Sequence, residues 1–205
     1  MRDRSAVILA GGSSSRFGKD KGLMDLADKP LIKYVLDAAS NLVEETIVVV
    51  SSNAQAKSYT KALDADVKVL VDAENIQTPL IGALTGFDAA HGEYSLLLPC
   101  DVPFVSKDIL ALLLDLCTDK AAAIPRQPNA YMEPLHAVYC TKPALDAART
   151  ALNRGELNMK AMVEKLRGVR YVSSLVLQQL DPDLRTFFNV NTPSDLKRAE
   201  AVLRK

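Results

Sequence analysis

A loop rich in glycine and serine follows the first apolar segment of the chain and carries the residues best suited to chemistry. The loop opens at Gly11 and Gly12 and contains three cations, Arg16, Lys19 and Lys21. Glycines let the backbone turn sharply and approach a ligand, and unpaired amides in such a loop form a concavity that binds anions. Guanidinium and ammonium groups would add full positive charge beside phosphate oxygens. The loop therefore predicts a phosphate site, with an ordinary surface turn as the alternative.

A second candidate is Asp101, which follows an apolar segment and lies between Pro99 and Pro103. The prolines favour extended backbone, which keeps Asp101 out of a following helix. Open α/β sheets bind ligands at the carboxyl ends of their strands, and a carboxylate there suits Mg²⁺. The alternative is an aspartate that caps a helix or stabilises a turn. The pattern by itself leaves both interpretations open.

Two familiar nucleotide-binding motifs do not fit the glycine loop. A dinucleotide-binding loop needs G-x-G-x-x-G and an acidic residue after the second strand, whereas that strand ends here at Ser51-Ser52. A Walker loop needs Gly-Lys followed by Ser or Thr, but Gly18-Lys19 precedes Asp20. Both motifs are excluded.

A pair of asparagines near the end of the chain forms a third candidate. Asn189 and Asn191 precede a helix start at Thr192-Pro193, and side chains two residues apart on an extended segment point the same way. Their amides suit a hydroxyl, a phosphate or metal-bound water. For Asn191 the alternative is an Asx turn that leads into the helix. Cys100 lacks a neighbouring base along the sequence, so we expect a buried thiol rather than a nucleophile.

The elements that must position these residues alternate between strands and helices. Apolar segments of strand length occur at 5–10, 46–51, 67–71, 94–99 and 121–124, with segments of helical period between them. Nearly continuous apolar strands indicate burial on both faces of a parallel sheet, hence an α/β fold. Beyond residue 126 the pattern loosens. There we predict a strand over 133–140, helices over 142–152 and 156–166, a strand over 169–173 and a final helix from Pro193.

Composition narrows the function classes. The 205 residues contain 25 Lys and Arg and 25 Asp and Glu, so no overall field favours nucleic acid or an anionic membrane. No apolar stretch reaches transmembrane length, and three cysteines with two histidines suggest neither a disulfide framework nor a zinc site. We predict one cytoplasmic domain over 1–205, with a nucleotide-binding half (1–125) and an acceptor-binding half (126–205).

The motifs taken together resemble the molybdenum cofactor guanylyltransferase family, and the match follows their order over nearly the whole chain. The matching blocks are Leu9-Ala10-Gly11-Gly12, Arg16, Gly18, Asp20-Lys21-Gly22-Leu23, Lys29-Pro30-Leu31, Pro79-Leu80-x-Gly82, Pro99-Cys100-Asp101-x-Pro103 and Asn189-Val190-Asn191-Thr192-Pro193. The resemblance implies a Rossmann-like three-layer α/β/α nucleotidyltransferase fold with a mostly parallel sheet. It also implies transfer of GMP from GTP to molybdopterin with release of pyrophosphate, and it implies Mg²⁺ as cofactor.

The resemblance also implies roles for individual residues. Arg16, Lys21 and Asp101 would be catalytic, with Asp101 as the Mg²⁺ ligand and Lys21 at the phosphates. Asn189 and Asn191 would bind the acceptor, and the nucleotide would contact Leu9, Ala10, Gly11, Gly12, Lys21, Asp72 and Asp101. Molybdoenzymes or their chaperones are candidate partners.

Two positions depart from the family pattern. Family members often carry asparagine directly after the second strand, where this chain has Ser51-Ser52 before Asn53. They often carry arginines after the Gly-Glu of the late helix, where this chain has Leu157-Asn158, with Arg154 as the nearby substitute. The alternatives are a molybdenum cofactor cytidylyltransferase, a 2-phospholactate guanylyltransferase and a nucleotide-binding protein without catalysis.

Overall fold

The computed structural model describes residues 3–11, 20–72 and 77–204. The strands in these ranges are β1 (Arg4–Leu9), β2 (Asp25–Leu26), β3 (Lys29–Pro30), β4 (Glu45–Val50), β5 (Lys68–Val71), β6 (Tyr94–Pro99), β7 (Ala122–Arg126), β8 (Ala137–Cys140) and β9 (Val169–Ser173). The helices are α1 (Leu31–Ala39), α2 (Asn53–Ala62), α3 (Pro79–Ala89), α4 (Lys107–Leu116), α5 (Thr141–Asn153), α6 (Met159–Val163), α7 (Ser174–Leu177) and α8 (Pro193–Leu203). Two 3₁₀ turns cover Lys21–Leu23 and Arg185–Phe187.

Seven of the described strands form one sheet in the order β5-β4-β1-β6-β8-β7-β9. β1 pairs in parallel with β4 and β6, β4 pairs in parallel with β5, and β7 with β9. Only β8 runs against its neighbours β6 and β7 among the strands described for this sheet. The carboxyl ends of β5, β4, β1 and β6 therefore meet along one edge, as predicted for a mostly parallel sheet.

Helices cover both faces of the sheet, which confirms the three-layer architecture. Alternate residues of β1 separate to the two faces, because successive strand side chains point in opposite directions. Ala6 and Ile8 pack with α1, α2 and α4 on one face, and Val7 packs with α3 and α5 on the other. A smaller cluster joins α8 to the β2–β3 hairpin through Leu26, Val190 and Ala199.

Side-chain caps begin the helices that flank the candidate site. Thr78, Ser106 and Thr192 each accept a hydrogen bond from a backbone N–H of the following first turn, at α3, α4 and α8. Such caps satisfy N–H groups that have no partner inside the helix. Thr192 and Asp195 complete a reciprocal capping box at α8. The helix start predicted at Thr192-Pro193 is thus confirmed.

The prediction for 133–140 was wrong in its first half. The strand covers only Ala137–Cys140, because residues 133–136 form a turn in which His136 N–H donates to the Glu133 carbonyl. The helix predicted over 156–166 is also shorter, since it begins after Asn158 and ends at Val163. None of the described helices has both the length and the apolar character needed to cross a bilayer.

A glycine pair on α3 tests the packing of this helix on the sheet. A Cβ on Gly86 would overlap the branched side chain of Val7, which is fully buried in β1. A Cβ on Gly82 would instead lie 3.1 Å from Cδ2 of Leu9, the tip of a flexible side chain. We expect Gly86→Ala to lower the free energy of unfolding by about 1–3 kcal/mol, measured by urea denaturation, as overpacking does.

Gly82→Ala is the matched control on the same helix. The gain of about 1 kcal/mol in helix propensity offsets its milder contact, so its stability should stay near that of wild type. Equal losses for the two variants would contradict this packing argument.

Candidate functional site

Those predicted nucleotide residues that the structure describes gather at the carboxyl edge of the parallel strands. Backbone hydrogen bonds continue the ladder past the strand ends, from Ala10 N–H to the Val49 carbonyl, from Asp72 N–H to Val50 and from Cys100 N–H to Leu9. These bonds hold the segments that follow β1, β5 and β6 side by side. Chain segments far apart in sequence thus present their polar residues at one place, as expected for an open α/β sheet.

Lys21 connects this edge of the sheet to the segment that precedes α8. Its Nζ donates to Oδ2 of Asp101 and to Oδ1 of Asn191, both at 2.5 Å. The ion pair is mostly shielded from solvent, with side-chain exposures of 25% for Lys21 and 13% for Asp101. The structure therefore brings together one predicted phosphate ligand, the predicted metal ligand and one predicted acceptor residue.

Each residue of the Asp20-Lys21-Gly22 block has a separate physical role. Asp20 Oδ1 accepts a hydrogen bond of 2.6 Å from Nε2 of Gln55, which anchors the segment to α2. Gly22 is wedged against Tyr59 and Cys100, because a Cβ on Gly22 would lie 2.5 Å from the Tyr59 hydroxyl oxygen and 3.1 Å from the Cys100 sulfur. These two contacts fix the backbone on both sides of Lys21 and so aim its side chain at Asp101.

The segment that carries the two asparagines is attached directly to the Asp101 motif. Val190 N–H donates to the Asp101 carbonyl at 2.9 Å, and Val190 is buried while Asn189 and Asn191 are exposed. The alternation predicted for this segment is therefore confirmed. Asn191 N–H donates to Oδ2 of Asp195, the same carboxylate that serves the capping box of α8. The start of α8 thus fixes the backbone of Asn191.

The buried hydroxyl of Thr186 holds the chain just before the asparagine segment. Thr186 Oγ1 accepts a hydrogen bond from Ser106 N–H and lies 3.1 Å from Nε2 of His136. Burial lowers the pKa of His136 to about 3, so the ring is neutral at physiological pH. The neutral ring and the Thr186 hydroxyl share one hydrogen bond, whose direction depends on the ring tautomer. The ring also packs edge-on against Phe187. This contact ties residues 185–188 to the start of α4.

Asp72 offers an unpaired carboxylate oxygen at the edge. Its Oδ1 is buried and has no hydrogen-bond partner among the described residues. Burial raises the pKa of Asp72 to about 6. A Cβ on Gly82 would lie 3.5 Å from that oxygen and 3.1 Å from Leu9, so the absence of a side chain at Gly82 leaves space beside both. Among the described residues, Asp72 thus has an unused acceptor atom beside the bare backbone of Gly82.

Asp101 has the donor atom that a hard cation needs. Its Oδ1 is buried and finds no partner in the described part of the chain, while Oδ2 binds Lys21. An orphaned carboxylate oxygen fits a Mg²⁺ ligand. Over residues 3–11, 20–72 and 77–204 no group of three His, Cys, Asp or Glu side chains lies close enough to hold a metal. The fit is therefore to an ion that shares its coordination with a ligand rather than to an all-protein cage.

Several residues singled out in the sequence lie elsewhere or have structural roles. Gly12, Arg16 and Lys19 lie outside the described residues. Gly11 is packed against Ser51, whose Oγ would meet a Cβ at that position. Ser52 and Asn158 cap α2 and α6 with their side chains. The two departures from the family pattern thus have local structural explanations.

Cys100 is buried, as predicted, and burial raises the pKa of its thiol far above the ordinary value. The thiol is therefore unsuited to nucleophilic chemistry.

Sequence reasoning missed Gln55 and assigned no bounds to the helix that carries it. Gln55 Oε1 accepts from Ser51 N–H at 2.9 Å while its Nε2 binds Asp20, so one side chain connects the end of β4 to the Lys21 segment. The signal was present as Ser52-x-x-Gln55, the spacing of a capping box. The low apolar content of α2 concealed it, because only Tyr59 on that helix is buried.

A family model described as the MobA-like NTP transferase domain matches residues 6–169. A probable molybdenum cofactor guanylyltransferase of Methanosarcina mazei is 34% identical over 199 residues, which cover 95% of this chain and 88% of that protein. A molybdenum cofactor guanylyltransferase of Desulfosudis oleivorans is 30% identical, with 98% and 96% covered.

A solved structure gives the same result for the fold. The crystal structure of molybdopterin-guanine dinucleotide biosynthesis protein A from Archaeoglobus fulgidus superposes with a TM-score of 0.81 at 30% identity, covering 98% of each chain. The likeness extends over both the strands that form the edge and the segment that carries the asparagines. On the sequence match and the shared architecture, this chain belongs to the family of MobA-like NTP transferase domains.

Proposed function

We propose that this protein transfers GMP from GTP to the phosphate of molybdopterin and releases pyrophosphate. The observation that carries the proposal is the contact of Lys21 with both Asp101 and Asn191, because one nucleotide-side cation joins the expected metal ligand to an acceptor-side amide. The names of the relatives supply the chemical identity of the two substrates.

The reaction joins two anions, so the site must neutralise charge and align the reacting groups. An oxygen of the acceptor phosphate forms a bond to the α-phosphorus of GTP, and the bond from that phosphorus to the bridging oxygen of the β-phosphate breaks. Lys21 would lower the repulsion between the two substrates, together with Arg16 from the glycine loop. No protein nucleophile is needed for this direct displacement.

Asp101 would hold Mg²⁺ through Oδ1, with GTP phosphates completing the coordination. When bound, the ion would neutralise phosphate charge and polarise the reacting centre. The backbone carbonyl of Asp101 also accepts a hydrogen bond from Val190 N–H. The residue that would bind the metal therefore also positions the acceptor segment.

The remaining residues would bind the two substrates. Leu9, Ala10 and Gly11 line the start of the edge, and Asp72 would accept a hydrogen bond from an N–H or O–H of the nucleoside through its unused Oδ1. Asn189 and Asn191 would bind molybdopterin. A molybdoenzyme or chaperone as recipient of the product, and a cytoplasmic location, stay predictions from the sequence.

The charge roles can be tested by two substitutions that keep side-chain size. We expect Lys21→Met and Asp101→Asn each to lower turnover by roughly a hundred- to a thousand-fold, the usual cost of removing one electrostatic stabiliser. The measurement is pyrophosphate release with molybdopterin, Mg²⁺ and each of GTP, CTP, ATP and UTP. Wild-type protein should prefer GTP.

The matched control is Lys142→Met, which removes an exposed ammonium at the opposite end of the sheet. It should turn over like wild type, and circular dichroism should show all variants folded. Near-normal turnover by folded Lys21→Met and Asp101→Asn would refute the assigned roles. Wild-type preference for CTP would favour a cytidylyltransferase instead, and no release with any nucleotide would favour a binding protein.

The buried carboxylate of Asp72 makes a separate prediction about stability and pH. The folded protein keeps the Asp72 proton up to about pH 6, whereas the unfolded chain loses it near pH 4. The folded state binds more protons in that window, so the contribution of Asp72 to stability falls as pH rises through it. We expect Asp72→Asn to gain stability relative to wild type from pH 4 to pH 6 and to hold that gain at higher pH.

Urea unfolding at intervals between pH 4 and pH 8 measures this effect. Asp66→Asn, in the exposed turn that precedes β5, should follow the wild-type curve. Asp72→Asn should also bind GTP more weakly despite its greater stability at neutral pH. A stability difference that stays constant from pH 4 to pH 8 would be inconsistent with a buried, proton-retaining Asp72.

A further inference from the structure

Lys21 binds two side chains, Asp101 and Asn191, that have other roles in the proposed reaction. Its ammonium has three N–H donors, and two of them are used by Asp101 and Asn191. In the reaction, Lys21 is needed at the GTP phosphates and the Asn191 amide is needed at molybdopterin. In the structure these groups satisfy one another. The same contact therefore belongs to both substrate sites.

The contact spans the chain and is partly shielded. Lys21 and Asn191 are 170 residues apart, and Lys21 Nζ is the hydrogen-bond donor that the Oδ1 atom of Asn191 uses in this structure. The backbone of Asn191 is held separately, through Asp195 and the neighbouring Val190. Withdrawal of the ammonium would therefore release the side chain of Asn191 while its backbone stays in position.

We propose that Lys21 is an interlock between the two substrate sites. Before nucleotide binds, its ammonium donates to Asn191 Oδ1. The nucleotide phosphates attract the ammonium away from Asn191. The amide oxygen of Asn191 can then accept a hydrogen bond from molybdopterin. The inference rests on the proposed function and adds an order to it: the nucleotide binds first and strengthens binding of the acceptor. Because linkage is reciprocal, the acceptor strengthens binding of the nucleotide by the same factor.

Asn189 supplies an internal comparison for this coupling. Its Nδ2 donates to the Phe187 carbonyl at 3.3 Å, a contact within its own segment that does not involve Lys21. The two asparagines have the same side chain, lie two residues apart and face the same side. They differ in their link to the cation, so only Asn191 should report the arrival of phosphate.

The test measures equilibrium binding rather than turnover. Metal-free molybdopterin is titrated into the full chain by calorimetry under anaerobic conditions, with and without saturating α,β-methylene GTP and Mg²⁺, a nucleotide that cannot transfer GMP. We expect the nucleotide to tighten molybdopterin binding by about 5- to 150-fold, the usual range of coupling between sites. The reverse titration should give the same factor.

Two variants then separate the interlock from direct contact between the bound substrates. Asn189→Ala and Asn191→Ala should both weaken molybdopterin binding, but Asn189→Ala should keep the wild-type coupling factor and Asn191→Ala should lower it several-fold. A wild-type factor of one, or a wild-type factor retained in Asn191→Ala, would overturn the interlock while leaving the proposed function intact. Failure of the wild-type protein to bind either ligand would overturn the proposed function and the interlock together.

Discussion

The ammonium of Lys21 lies between the carboxylate of Asp101 and the amide of Asn191, and the architecture of the site follows from the need to keep that charge paired. A partly buried cation that loses its partner is costly, because its lost hydration is no longer compensated. Three distant segments must therefore converge to within hydrogen-bond distance. The parallel sheet supplies one of them, at the end of β6, and the start of α8 supplies another. The segment after the glycine loop supplies the third.

Supporting contacts fix each of these segments from a different side. Gln55 holds Asp20, and the missing side chain of Gly22 lets the backbone lie against Tyr59 and Cys100. Val190 N–H holds the asparagine segment on the Asp101 carbonyl. These groups do not need to touch substrate, yet they determine where the ammonium, the carboxylate and the amide can lie. The fit of Mg²⁺ to the site depends on the same arrangement, since it leaves one oxygen of Asp101 without a partner in the described part of the chain.

Much of the fold could be predicted because the local sequence signals for strands and helix starts agree with the positions these elements take in the tertiary structure. The central strands are nearly continuous apolar segments, and Thr78, Ser106 and Thr192 mark helix starts by their own chemistry. Helix α2 was given no bounds from the sequence because it buries little apolar surface. The strand over 133–140 was predicted too long because the periodicity of 133–136 resembles a strand, while its backbone hydrogen bonds form a turn. For residues 133–136 the local pattern favours a strand and the backbone hydrogen bonds form a turn. Pairing with the neighbouring strands decides between the two.

The sequence by itself determined that Gly11 and Asp101 follow the ends of buried strands, because apolar segments end just before them. A charge-neutralising phosphate site at this edge stays a prediction from those residue types. The sequence also determined the family, through motifs in order along nearly the whole chain. Only the tertiary structure decided that Lys21 contacts Asn191 as well as Asp101, and that Ser52 and Asn158 are helix caps. It also decided that one oxygen of Asp72 has no partner among the described residues. The physical reason is that a hydrogen bond forms only when donor and acceptor lie within about 3 Å of each other. Packing must bring together segments that the chain separates by up to 170 residues.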